Sequence, residues 1–62
     1  MPVIQITLVQ GRTPEQKRKV AARVTDALVE EAGANRAAVI VTFVEVTKDD
    51  YASAGMLLSD KT

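Results

Sequence analysis

Residues 2–9, Pro-Val-Ile-Gln-Ile-Thr-Leu-Val, alternate along the chain, with Ile4, Ile6 and Leu8 on one parity. A period of two among β-branched side chains predicts a strand. Gln10-Gly11-Arg12 breaks the alternation, and Thr13-Pro14-Glu15-Gln16 follows as a helix start. Thr13 can accept a hydrogen bond as N-cap, Pro14 fits a first-turn position that needs no amide donor, and Gln16 completes a capping box. Val20, Val24, Ala27, Leu28 and Ala32 then recur at three-and-four spacing, with Lys19, Arg23, Asp26 and Glu30 toward the other face. This pattern predicts a helix from about 14 to 32, closed by Gly33 in a left-handed turn.

Residues 38–46, Ala-Val-Ile-Val-Thr-Phe-Val-Glu-Val, return to strand patterning. Val39, Val41 and Phe43 fall on one parity, and Ile40, Val44 and Val46 on the other. The tail opens with Lys48-Asp49-Asp50-Tyr51, passes through Ala54-Gly55 and reaches Met56-Leu57-Leu58. It reads as a polar turn and a short hairpin or extended segment that can dock on a neighbour, with residues 59–62 loose. Strand, helix and strand with short links imply a right-handed crossover and parallel pairing. The expected fold is α+β: one domain over residues 1–62, with two parallel strands, one helix and a short C-terminal hairpin.

One helix covers one face of a two-stranded sheet. A second strand apolar on both parities expects cover on both, so the remaining face calls for another subunit. Length points the same way, because a 62-residue chain has a marginal core of its own. Disulfides cannot supplement it, since there is no cysteine, and histidine, the commonest metal ligand, is also missing. Self-association is the remedy left.

Eight basic residues balance eight acidic ones, without the basic excess of a nucleic-acid binder. No apolar run approaches the roughly 20 residues of a membrane span, and the N-terminus lacks a secretory signal. Neither nucleic acid nor membrane is an expected partner, and the cytoplasm is the expected compartment. No phosphate-cradling glycine loop and no carboxylate cluster at metal spacing occurs, so neither cofactor nor metal is expected.

With cysteine and histidine missing, the usual nucleophilic dyads are unavailable. What remains is Pro2, directly behind Met1. Its ordinary explanation is that proline is tolerated at the head of an edge strand, and taken alone the position favours that. Removal of Met1, which a small following residue permits, would instead expose a secondary amine. An α-amino group titrates near pH 8 in short peptides. Burial or a nearby cation favours its neutral form, which can act as a general base near neutrality.

The opening Met-Pro-Val-Ile-Gln-Ile, the run Gln10-Gly11-Arg12-Thr13-Pro14-Glu15-Gln16-Lys17, and Val44-Glu45-Val46-Thr47-Lys48 followed by Tyr51 and Gly55 resemble the 4-oxalocrotonate tautomerase family. The resemblance spans essentially the whole chain. It implies β-α-β subunits assembled as oligomers, usually hexamers, with homo-oligomers expected and a mixed oligomer possible. It also implies a cofactor-free isomerase that converts enol acids, such as 2-hydroxy-2,4-dienoates, into keto forms. In that family's pattern Pro2 matches the proline base, and Arg12 matches an arginine that reaches a neighbour's site and holds a substrate carboxylate. A guanidinium suits the task, because it grips a carboxylate bidentately and meets the negative charge that develops.

Two positions depart from the pattern. Tyr51 stands where the resemblance implies an apolar ring, and its added hydroxyl can donate to a carbonyl or simply plug a subunit contact. Ile40 stands where a second arginine is implied for a diacid, and an isoleucine cannot bind a carboxylate. Arg36 lies upstream and can lean in or remain a surface charge. A monoacid enol, or a diacid bound another way, therefore fits as well as 2-hydroxymuconate. Glu45 shares the parity of Phe43 and reads as an interfacial hydrogen-bond partner. Two rivals stand beside the tautomerase: a hydratase, dehalogenase or decarboxylase of the same superfamily, and a non-catalytic partner subunit that lends Arg12 to another chain.

Overall fold

The structure, a computed structural model, describes residues 1–61. Strand β1 (Val3–Val9) is followed by helix α1 (Pro14–Ala32) and strand β2 (Ile40–Val46), and the two strands pair in parallel. Register runs from Val3 opposite Ile40 to Val9 opposite Val46. Beyond the ladder, the Gln10 N–H donates to the Val46 carbonyl at 2.9 Å, so the two strands close together at their C-terminal ends.

The helix starts as its sequence dictates. Thr13 Oγ1 accepts the Gln16 N–H at 3.2 Å, and Gln16 Oε1 accepts the Thr13 N–H at 2.9 Å. At the far end Gly33 takes φ 68° and donates its N–H to the Leu28 carbonyl, a conformation other residues adopt at a cost. Asn35 then caps a 3-10 turn over Arg36–Ala38 by accepting the Ala37 N–H at 3.1 Å. This turn takes Ala38, and its cap takes Val39, from the second strand that alternation had assigned to 38–46, so the strand begins only at Ile40.

Ile4, Ile6 and Leu8 are half-buried beneath α1 together with Val41 and Phe43, while Val3, Gln5, Thr7, Ile40, Thr42 and Val44 are exposed. The helix sits differently from its expected stripe. Ala21, Val24 and Leu28 are half-buried, but Val20, Ala27 and Ala32 are exposed. Two strands lie about 4.8 Å apart beneath a helix about 10 Å wide, so one flank of α1 overhangs.

The tail forms a two-stranded antiparallel hairpin, β3 (Ala52–Ser53) with β4 (Met56–Leu57). Ala54 (φ 54°) and Gly55 (φ 80°) make its turn, with both central residues left-handed as in a type I′ turn. The residues after it are more ordered than expected. Leu58–Asp60 form a 3-10 turn whose cap, Lys61, donates its N–H to the Leu58 carbonyl. Thr62 lies outside the described residues.

No described residue is fully buried. The chain exposes 4705 Å², against about 3900 Å² for a compact monomer of 6.7 kDa. Its radius of gyration is 14.6 Å, where a compact chain of this length has about 10.6 Å. The apolar side chains between sheet and helix are thus half-buried at most.

Candidate active site

Pro2 stands one position before β1, half-buried, on the parity of Ile4. Its carbonyl accepts the Ile40 N–H at 3.0 Å. That bond anchors the residue to β2 and leaves its nitrogen outside the ladder. Ile40 is thus a backbone neighbour of Pro2, but its side chain lies with Val3 on the open face, 41% exposed. The two side chains occupy opposite faces of one subunit. Arg36 belongs to the same end of the unit and is bonded through Nη2 to Asp26 Oδ1 of α1 at 2.5 Å.

Arg12 lies beyond the other end of β1, where its Nη1 donates to the Val9 carbonyl at 3.2 Å. Seven strand residues rise about 20 Å between Val3 and Val9. One chain therefore cannot bring Pro2 and Arg12 to the same small molecule. Tyr51, 44% exposed, follows β2 by a 3-10 turn over Lys48–Asp50 and so belongs to the Arg12 end. Its carbonyl accepts the Leu58 N–H at 2.8 Å, which roots the hairpin beside the exposed ring.

Around Arg12 the surface is concave. Gln16, Lys19, Val20 and Arg23 form with it an open cleft of about 370 Å³. A smaller depression of about 70 Å³ reaches the sheet at Ile6, Leu8 and Phe43. Lys17, at its rim, is held by Glu45 at 2.6 Å. Glu45, which its parity had marked as an interfacial partner, thus has a partner within its own chain. Among the described residues no salt bridge engages Arg12, Lys19 or Arg23, so the cleft carries net positive charge and attracts anions. Gln16, Lys19 and Arg23 had been read only as cap and wet face. Their spacing behind Arg12 was the available signal, but which flank of α1 overhangs the sheet is set by packing.

The unit is thus a half-covered two-stranded sheet headed by a proline, with a cationic cleft at its far end. Residues 2–61 match the tautomerase enzyme family. The chain belongs to that family, whose class of reaction is isomerisation. It is 43% identical over 60 residues to the 2-hydroxymuconate tautomerase of Bacillus subtilis (strain 168), covering 97% of each chain. A probable tautomerase of Bacillus cereus is 41% identical over 61 residues, 98% of this chain and all of the relative. Among solved structures, YwhB, a homologue of 4-oxalocrotonate tautomerase, superposes with a TM-score of 0.93 at 41% identity, covering 98% of this chain and 100% of that one. A heterohexamer 4-oxalocrotonate tautomerase from Chloroflexus aurantiacus J-10-fl gives 0.90 at 25% identity, with 97% of each chain covered.

Proposed function

We propose that the chain is one tautomerase unit that assembles, as a hexamer by family precedent, into a cofactor-free isomerase of small enol acids, with Pro2 as the proton carrier once Met1 is removed. The observation that carries this reading is the anchoring of Pro2. Its carbonyl is fixed by Ile40 while its nitrogen stands free of the ladder at the strand's head. Met1 is 90% exposed, so the bond that must be cut is open to a peptidase.

The neutral secondary amine accepts the enol proton, the C–O bond becomes a carbonyl, and the displaced π electrons run to a carbon further along the conjugated acid. Prolinium returns the proton to that carbon. One proton moves and nothing is oxidised or reduced. Arg12 of a neighbouring subunit holds the substrate carboxylate, and the ring of Tyr51 keeps the surroundings dry or donates to the forming carbonyl. Arg36 stays with Asp26, and Ile40 gives no cation for a second carboxylate. The relative named for 2-hydroxymuconate favours a dienol acid, and Ile40 favours one with a single carboxylate.

The test follows ketonisation of 2-hydroxymuconate and of phenylenolpyruvate by ultraviolet absorbance, with protein whose mass shows loss of Met1. Pro2→Ala should lower kcat/KM by about 100-fold or more. Ile40→Arg should shift preference toward the diacid. No turnover of either acid by assembled, Met1-free protein would sink the tautomerase reading, leaving a hydratase or a subunit that lends Arg12 to a different chain.

A further inference from the structure

Tyr51 stands on a mount tighter than its exposure requires. Before it, the Asp50 N–H donates to the Thr47 carbonyl at 3.0 Å, and the Thr47 hydroxyl donates to Asp50 Oδ2 at 2.8 Å. Thr47 and Asp50 thus bond through both main chain and side chains, and close the 3-10 turn Lys48–Asp50 from both ends. After it, the Tyr51 carbonyl accepts the Leu58 N–H at 2.8 Å, and Ala52 opens the hairpin opposite Leu57. Between these two ties the backbone of Tyr51 is extended, with φ −128° and ψ 122°, and its ring is 44% exposed.

The main-chain bond of a short 3-10 turn has poor geometry, and exposed turns of this kind open readily in water. A hydroxyl that donates to a carboxylate is charge-assisted and stronger than a neutral pair. Lys48 and Asp49 make no salt bridge among the described residues, so the side-chain hold on the turn falls to Thr47 and Asp50. That hold fixes the point at which β2 hands the chain to Tyr51. A ring that merely covered apolar surface would tolerate a loose mount. A ring that meets a reacting molecule must be held to about 0.5 Å.

We propose that Asp50, gripped by the Thr47 hydroxyl, is a positioning residue that sets how Tyr51 presents its ring to the enol acid. Asp50 itself touches no substrate and acts through the turn. The inference rests on the reading of Tyr51 as part of the assembled site.

Ketonisation by Met1-free protein gives the first readout. Asp50→Ala and Thr47→Val should each lower kcat/KM by about 5- to 10-fold, because small displacements of a site residue are costly. Combined, they should cost no more than either alone. Asp50→Asn keeps an acceptor oxygen and Thr47→Ser keeps the donor, so both should stay within about two-fold of wild type. In a Tyr51→Leu background Asp50→Ala should lose its effect, a coupling that a purely structural role would not show. An equal loss in that background overturns the proposal.

The second readout needs no turnover. Tyr51 is the chain's one tyrosine and tryptophan is missing, so ultraviolet emission reports on this ring. Time-resolved anisotropy should show a larger fast component in Asp50→Ala and Thr47→Val than in wild type, and none added in Asp50→Asn. Unchanged decays in the first two variants overturn the proposal whatever the activity. Freed ring motion in Asp50→Ala beside an inactive wild type upholds the mount and sinks the tautomerase reading alone.

Discussion

Lys17 and Glu45 meet at 2.6 Å across 28 residues of sequence, joining the start of α1 to the end of β2. The pair holds the helix over the strand end from which Arg12 departs. Lys17 retains 24% of its side-chain exposure and Glu45 38%, so solvent screens the attraction. A double-mutant cycle with Lys17→Met and Glu45→Gln should give a coupling of about 0.5 kcal/mol in urea unfolding at low salt. The coupling should shrink as salt is raised. The protein concentration must be held constant, because unfolding of an assembling chain depends on it.

Separation of Pro2 and Arg12 along β1 predicts complementation between dead subunits. Arg12→Ala should cost roughly 10- to 1000-fold in kcat/KM, and Arg12→Lys should restore only part, because an ammonium lacks the bidentate fork. Unfolding and refolding a mixture of Pro2→Ala and Arg12→Ala chains should regenerate sites with one intact group from each. Activity no greater than the sum of the two preparations would show that each site is built from one chain.

Thr13 and Gln16 each satisfy the other's backbone donor. Thr13→Ala should destabilise the protein by about 1 kcal/mol, whereas Thr13→Ser should cost much less. Thermal unfolding at matched concentration measures both. A loss with Ser as large as with Ala would mean that packing of the threonine methyl, and not the cap, is what matters.

At the hairpin tip Ala54 holds a left-handed backbone with φ 54°. A side chain there costs about 1 kcal/mol that glycine or asparagine largely avoids. Ala54→Asn should therefore slow amide exchange at Ser53 and Met56 and raise stability by about 0.5 kcal/mol. Unchanged exchange would argue that the turn opens in solution.

Much of the subunit was legible because its signals are local. The capping box at Thr13 and Gln16, the left-handed stop at Gly33 and the alternation of Ile4, Ile6 and Leu8 each depend on a few consecutive residues. What escaped depends on distant partners. The rotation of α1 that exposes Val20 and Ala27 follows from the narrowness of the sheet below it. The turn over Arg36–Ala38 follows from Asn35, whose side chain competes with strand extension. The pairing of Glu45 with Lys17 was not legible, because parity does not reveal that Lys17 hangs above it. The proposed site was legible only as parts, since Pro2 and Arg12 sit at opposite ends of one strand.

The half-built interior has a consequence for dosage. If the chain assembles as proposed, it draws folding free energy from encounters with its own kind, and supply then enters its stability as directly as sequence does. In such an assembly, slow synthesis would leave solitary subunits that open readily and meet proteases before they meet each other. Abundance then acts as a threshold, below which the same chain is turned over as waste and above which it persists.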